Sequence, residues 1–319
     1  MRDCKGRFAP TPSGDMHIGN AFCYFLAWLA VRKEGGKLVL RFEDCDTLRM
    51  QRGAVEQTMS DLAWLGLNWD EGPAPGEESG PYFQSCRTAI YDRAFDELRD
   101  RGLVYPCFCS RQDVRQAAAP HPDESSPVYP GTCRTLSGDE IRERSRLRAP
   151  AWRLRVTDET VEFLDGLYGR QRCAPAAEKG DFIIRRADGV YCYQFTVALD
   201  DALMGVSQVV RSHDLLSSTP WQIYVQRLFG YEPPAWLHIP LLLDDGGRRL
   251  AKREKALSIR QIRRCYTPEE VVGRLACLAG LQSGPEPCGL EELVPRFDPS
   301  ALRREDIVLP PDFFARCRE

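Results

Sequence analysis

The stretch Arg7-Phe8-Ala9-Pro10-Thr11-Pro12-Ser13-Gly14-Asp15-Met16-His17-Ile18-Gly19-Asn20 decides the fold. Arg7-Phe8-Ala9 reads as a strand end, Pro10, Pro12 and Gly14 break it, and His17 to Asn20 opens an apolar run from Ala21 to Val31 at helical length. Unpaired N–H groups at such a helix start, with the positive end of its dipole, attract phosphate. An imidazole there can donate to a phosphoryl oxygen as charge builds on it, and Gly19 leaves room for a flat ring against the backbone. Lys37 to Glu43 forms a second strand, after the helix stop Gly35-Gly36 and before the acidic turn Asp44-Cys45-Asp46. Strand, helix and strand in this order predict a right-handed crossover within a parallel sheet. Ligands of such sheets sit at the carboxyl ends of strands, where Arg7 and Glu43 both fall.

A chain of 319 residues with 43% hydrophobic content can bury one large or two modest cores. The start lacks a basic segment followed by an apolar one, and no apolar run approaches the ~20 residues of a membrane helix. A soluble, intracellular protein is expected, with no membrane partner. Thirteen cysteines at scattered spacing point to reduced thiols, with one cluster available to a metal. A net charge of -3 excludes a general affinity for nucleic acid, so any RNA contact must use a local basic face. Residues 248–264 provide one, with eight Lys or Arg against one Glu.

Helices are predicted over 54–67 and from Arg87 to Arg101, the latter stopped by Gly102. Cys107-Phe108-Cys109 is followed by nineteen residues rich in Ala, Pro and Ser, then Tyr129-Pro130-Gly131-Thr132-Cys133. Three thiols can surround a tetrahedral Zn²⁺, whose fourth ligand the spacing leaves open; His121 lies in the intervening loop. Ser137-Gly138-Asp139-Glu140 is a capping box for a basic helix ending near Arg148, and short strands are predicted at Trp152 to Val156 and Val161 to Leu164. The arginines from Arg142 to Arg155 suit an RNA contact and a solvated face equally. Asp181 to Arg186 and Val190 to Phe195 flank Ala-Asp-Gly and predict a β-hairpin with which the sheet resumes. Arg211 reads either as a cation for a substrate carboxylate, held as a two-pronged fork, or as a strand-end arginine paired with Asp214. A helix over 219–229, an apolar strand from Ile239 to Leu243, and a hairpin tip at Asp244 to Gly247 follow. The basic run Arg248-Arg249-Leu250-Ala251-Lys252-Arg253 is then placed to clamp phosphates.

These motifs resemble those of the class I aminoacyl-tRNA synthetases, in their glutamyl and glutaminyl branch. Residues 7–20 are similar to the run ending in the HIGH signature, with Asn20 where that motif has its second histidine. Residues 41–49, R-F-E-D-C-D-T-L-R, the segment from Tyr193 to Leu216, and P-R-F-D-P-S-A-L-R-R at 295–304 resemble further family segments. Arg249 to Arg253 resembles KMSKS, with Arg249 for its first lysine and Ala251 for its central serine. The resemblance implies an α/β fold: a Rossmann-like parallel-sheet catalytic domain, a zinc-containing insertion and a short helical C-terminal domain. It divides the chain into 1–104 and 181–247 as the catalytic halves, 105–180 as the insertion and 248–319 as the basic loop and RNA-contacting region.

The same resemblance assigns residues. Arg7, Phe8, Ala9, Pro10, Thr11, Glu43, Tyr193 and Arg211 would hold L-glutamate. His17, Gly19, Asn20 and Lys252 would seat ATP, with His17 and Lys252 stabilising charge on its phosphates. Cys107, Cys109, Cys133 and, as fourth ligand, Tyr129 would bind one structural Zn²⁺, and Mg²⁺ would accompany ATP. The chain stops where a full glutamyl-tRNA synthetase would continue into an anticodon-binding domain. It is therefore expected to follow the truncated branch, which activates glutamate without tRNA and transfers it to queuosine in the anticodon of tRNA(Asp), as a cytoplasmic monomer. The competing expectations are a minimal synthetase charging the 3′ end of tRNA(Glu), a non-catalytic RNA-binding paralogue, and a nucleotidylyltransferase acting on a small metabolite.

Overall fold

The computed structural model describes residues 3–74, 76, 80–110, 112–114, 128–178, 180–250, 257–310 and 312–317. The first crossover is as expected: β1 (Lys5–Phe8) and β2 (Lys37–Leu40) pair in parallel, joined by helix α1 (Ile18–Lys33). Ten of the sixteen residues of α1 are buried, so it is a central helix with apolar contacts all round, not a surface one. It packs on β1 and on β8 (Gln208–Ser212), and against the turn Val294–Arg296. Past β2 the pairing continues irregularly: Arg41 donates its N–H to the Phe8 carbonyl at 2.9 Å and Glu43 to that of Pro10 at 2.9 Å. That continuation carries Glu43 to the end of the Arg7 strand.

The largest sheet has the order β6-β5-β9-β8, formed by β5 (Val161–Asp165), β6 (Gly169–Cys173), β8 and β9 (Ala235–Ile239). β8 and β9 are parallel and joined through the helix Thr219–Leu228. β1 lies along β8, with the Ser207 N–H on the Lys5 carbonyl at 2.9 Å and the Arg7 guanidinium on the Val210 carbonyl at 3.2 Å. The carboxyl ends of β1, β8 and β9 therefore meet at one edge, the place where a parallel sheet binds ligands.

A separate antiparallel sheet joins β3 (Val104–Cys107), β4 (Ala151–Leu154) and β7 (Phe182–Arg185). β7 thus extends the antiparallel sheet, and the parallel sheet resumes only at β8. The predicted hairpin is half present. The turn closes through the Arg186 N–H on the Val190 carbonyl and the Cys192 N–H on the Ile184 carbonyl, each at 2.8 Å, which makes a single bridge, Tyr191 to Arg185. From Tyr193 to Leu203 the chain is helical. Alternating aromatics read as a strand, yet Phe195, Ala198 and Leu199 recur at helical spacing and are buried against Tyr91 and Tyr224. The predicted strand Ile239–Leu243 is likewise broken by Pro240, which has no N–H to give, into the end of β9 and the short β10 (Leu242–Leu243).

Downstream, β11 (Ile307–Val308) pairs in parallel with β10. Leu293, Phe297, Leu302, Ile307 and Phe314 share one buried cluster with Phe8, Ile18 and Phe22 of the first motif. Among the described residues no helix is long and apolar enough to cross a membrane.

Candidate active site

The meeting strand ends wall a cleft of about 400 Å³. Arg7, Ala9 and Thr11 line it; Phe8 and Pro10 do not, because alternate residues of a strand face opposite ways. Phe8 is fully buried in the core and packs on Tyr24, ring centroids 5.3 Å apart, while Pro10 faces an adjoining cavity. The side chains of Phe8 and Pro10, expected beside glutamate, thus support the wall of the cleft.

At the phosphate end His17 caps α1, its Nδ1 accepting from the N–H groups of Gly19 at 3.1 Å and Asn20 at 3.3 Å. Ile18 gives its N–H to the Leu257 carbonyl at 3.2 Å. The first three N–H groups of the helix are therefore engaged within the protein, contrary to the expectation that they await a phosphate. The cap also fixes the tautomer, since an accepting Nδ1 leaves the proton on Nε2. A Cβ on residue 19 would stand 3.0 Å from the His17 ring, so glycine there makes space for this imidazole itself.

At the other end sits Arg211, buried to 4% exposure. Its Nε donates to His238 Nε2 at 3.1 Å, one terminal nitrogen to Gln222 Oε1 at 2.8 Å, and the other to Thr219 Oγ1 at 2.8 Å and the Leu215 carbonyl at 3.4 Å. The guanidinium carbon lies 4.7 Å from the Trp236 ring centroid, and Tyr193 is also hydrogen-bonded to it. Four of its five N–H groups have acceptors, so the expected two-pronged fork onto a carboxylate is not available. The fifth meets Tyr193, whose phenol O–H is left to donate to a ligand, with the positive charge behind it. Asp214, the alternative partner read from the sequence, instead pairs with Arg249 at 2.8 Å and accepts from Ser212 at 2.6 Å.

Between the two ends lies a buried ionic network. Asp201 binds Arg41 at 2.7 Å and Arg7 at 3.4 Å, and Arg41 approaches Glu43 Oε1 at 3.6 Å. Asp200 accepts from Arg87 at 2.7 Å, Gln84 at 2.8 Å and Tyr91 at 2.7 Å. Glu43 Oε1 is buried with no hydrogen-bond partner among the described residues. Burial, reinforced by the two aspartates and opposed by Arg41 and Arg7, pushes the Glu43 carboxyl up to about 7. An orphaned carboxylate oxygen at the edge of a cleft suits a cationic group of a ligand.

A second cluster lies at the base of the antiparallel sheet. The sulfurs of Cys107, Cys109 and Cys133 all lie within 4.8 Å of one another, and none is in a disulfide. Cys109 and Cys133 are 3.6 Å apart, and the Tyr129 hydroxyl is 3.5 Å from Cys107 and 3.8 Å from Cys109. A tetrahedral ion with sulfur at about 2.3 Å requires sulfurs about 3.8 Å apart, so three thiolates and one oxygen fit such an ion. Tyr129 accepts the Cys133 N–H at 2.8 Å, which aims its oxygen at the cluster. Burial pushes the Cys107 thiol up, but pairing with Tyr129 and Arg153 outweighs it and holds the thiol below its ordinary range. Arg153 is turned inward: Nε lies 3.2 Å from Cys107 Sγ, and the guanidinium carbon 3.6 Å from the Tyr129 ring centroid. Arg142, Arg146 and Arg148 are exposed, and Arg144 is half-buried. His121 and Lys252, with Ala251 and Arg253, lie outside the described residues.

Residues 3–303 match the family described as tRNA synthetases class I (E and Q), catalytic domain. The chain belongs to this family. Within it, the chain is 46% identical over 318 residues to a glutamyl-Q tRNA(Asp) synthetase of Nitratidesulfovibrio vulgaris, covering 99% of this chain and 98% of the relative. It is 49% identical to the enzyme of that name from Symbiobacterium thermophilum, covering 97% of each. In fold it is similar to a glutamate tRNA ligase of Elizabethkingia meningosepticum, with a TM-score of 0.82 at 23% identity over 98% of this chain and 68% of the other. ATP, an amino acid and tRNA are the substrates this synthetase family implies.

Several residues of the synthetase cleft carry no role in the sequence reading. Asp200 and Asp201 stand within a quoted motif, yet nothing local says that they neutralise Arg41 and Arg87 from more than a hundred positions away. His238, Gln222 and Thr219 show no sequence signal at all. The one sign available was the density of acids and arginines in segments that are otherwise apolar, which marks charges that must be paired inside the fold.

Proposed function

We propose that the protein joins L-glutamate to ATP as glutamyl-adenylate and transfers the glutamyl group to queuosine in tRNA(Asp). The observation that carries this reading is the buried cation Arg211, hydrogen-bonded to no carboxylate among the described residues, at one end of a cleft whose other end is the His17 helix start. The substrate's side-chain carboxylate meets Arg211 and Tyr193, and its ammonium meets Glu43, with Arg7 beside it. Its α-carboxylate then attacks the α-phosphorus, pyrophosphate leaves, and His17 donates from Nε2 to a phosphate oxygen as charge develops. Gly19 and Asn20 seat the nucleotide with Ala9 and Thr11 alongside, and Lys252 supplies the second phosphate cation. A ring hydroxyl of queuosine next attacks the carbonyl carbon and AMP leaves. Magnesium accompanies ATP, and one zinc ion held by Cys107, Cys109, Cys133 and Tyr129 fixes the insertion of residues 105–180. The catalytic halves are residues 1–104 and 181–247, the basic region 248–319 contacts the RNA, and the protein acts as a cytoplasmic monomer. The near full-length relatives named for this reaction support the acceptor.

The test is the identity of the product. With labelled glutamate, ATP and tRNA(Asp), nuclease digestion is expected to release glutamylated queuosine, detected by mass. Label found on the 3′-terminal adenosine, and abolished by periodate treatment confined to that end, would replace this reading by the tRNA(Glu)-charging one.

The ammonium role of Glu43 has a pH signature. A carboxyl titrating at about 7 binds a cation only when ionised, so the glutamate KM is expected to climb as pH falls below 7. The limiting slope is about tenfold per pH unit. For the ligand-free fold the sign is also set: a raised carboxyl favours folding fully below its unfolded value of 4.5 and loses that contribution as pH rises through 7. Pyrophosphate exchange measured at several pH values, with Glu43→Gln alongside, checks this; a flat profile for the parent protein contradicts the ammonium role.

A further inference from the structure

We infer that His238 is a positioning residue for Arg211, acting as a neutral acceptor whose tautomer is locked by Asp165, so that Arg211 is aimed without being neutralised. This rests on the glutamate-activating reading above. His238 is fully buried on β9 directly behind Arg211, and Asp165 lies at the end of neighbouring β5. Asp165 Oδ2 is 2.6 Å from His238 Nδ1 and accepts the His238 backbone N–H at 3.0 Å. Its other oxygen accepts the N–H groups of Leu167 at 3.0 Å and Tyr168 at 2.9 Å, so the carboxylate cannot turn away.

An ionised carboxylate only accepts, so Nδ1 carries the ring proton and Nε2 is left as a lone pair. That lone pair faces the Arg211 Nε–H at 3.1 Å, which needs an acceptor, and the Thr219 hydroxyl at 3.1 Å, which also has the Leu215 carbonyl at 3.3 Å. The opposite tautomer would set one N–H against another. Burial, ahead of the pull of Asp165, lowers the imidazole below its usual range, which keeps the ring uncharged beside the guanidinium.

The chemical consequence concerns specificity. Every hydrogen-bond acceptor that fixes Arg211 is formally neutral: His238, Gln222, Thr219, the Leu215 carbonyl and the Tyr193 phenol. A carboxylate in any of these places would orient the guanidinium equally well but cancel the charge that distinguishes a glutamate side chain from a glutamine one. The Asp165 carboxylate is kept a ring's width behind, where it orders the imidazole and leaves the cation to the ligand.

The test uses the full chain in glutamate-dependent pyrophosphate exchange. His238→Phe keeps the ring that lies nearly parallel to Trp236 and removes the acceptor. It is expected to raise the glutamate KM by about tenfold or more, leave the ATP KM within about twofold, and narrow the preference for glutamate over glutamine. His238→Gln, whose Oε1 reaches the place of Nε2, is expected to recover most of the loss. Asp165→Asn, which can donate to Nδ1 and invert the tautomer, is expected to follow His238→Phe and decides the matter should the phenylalanine variant not fold. Unchanged glutamate KM in the folded variants, or equal rises for glutamate and ATP, overturns the role of His238 alone. Absence of exchange in the parent protein overturns the glutamate reading and this inference with it.

Discussion

Arg211→Met is expected to lower kcat/KM for glutamate by about a thousandfold while the ATP KM stays near its parent value. The size follows from what is removed. Deleting one member of a buried charge pair costs roughly 3 to 5 kcal/mol, because the ligand's carboxylate is left desolvated without its counter-charge. Methionine keeps the aliphatic stem and removes the guanidinium that packs on Trp236, so the loss reads chiefly the charge and its N–H groups. Arg211→Lys is expected to be almost as damaging. An ammonium has three donors on one atom, and cannot reach His238, Gln222, Thr219 and the Leu215 carbonyl from their separate directions while also serving a ligand. Steady-state exchange against glutamate and glutamine makes the check. A lysine variant with parental glutamate kinetics would show that charge alone suffices and that the neutral cage is incidental.

The second large effect is expected at the cysteine cluster. Cys133→Ser should abolish the roughly one equivalent of zinc per chain and open residues 105–180 to proteases, while glutamate-dependent exchange survives in good part and transfer to RNA is lost. Metal binding of this type supplies of order 10 kcal/mol in isolated small domains, more than a loop-rich insertion can draw from its own core. The five buried residues of that local cluster include Cys107, Tyr129 and Cys133 themselves, so the would-be ligands are also its packing. Exchange is spared because the cleft walls belong to β1, β8 and β9. Elemental analysis with limited proteolysis checks this; a variant lacking metal yet as resistant as the parent protein would remove the structural role.

What the sequence made legible, and what it hid, divides by distance along the chain. Arg7, Glu43 and Arg211 were readable because each sits at the end of a short strand, and in a parallel sheet those ends share an edge. The crossover between β1 and β2 was readable for the same local reason. Tyr193 was read on a strand and stands on a helix, since a run of aromatics satisfies both periods until tertiary packing chooses. The facing of Phe8 and Pro10 needed the register of a strand whose end was uncertain by a residue. The helix-start N–H groups looked available because a histidine cap does not resemble the usual Ser, Thr, Asp or Asn. Most hidden were the pairings across long separations: Asp165 with His238, 73 positions apart, and Asp201 with Arg41, 160 apart. No local pattern encodes which buried acid meets which base.

One backbone contact has a bearing on how this molecule can be rebuilt. His17 forms an antiparallel bridge with Ser258, Ile18 and Leu257 share a hydrogen bond, and Ile259 donates to the Met16 carbonyl at 2.8 Å. On the upstream side Leu243 bridges to Arg249. The basic run is thus moored at both flanks, one of them on the very histidine that caps α1. A chimera that swaps residues 250–256 between relatives keeps both moorings and is a fair exchange of cations. One that swaps as far as residue 260 also changes the seat of His17, so its kinetics would conflate the loop's charge with the aim of an imidazole more than two hundred positions away.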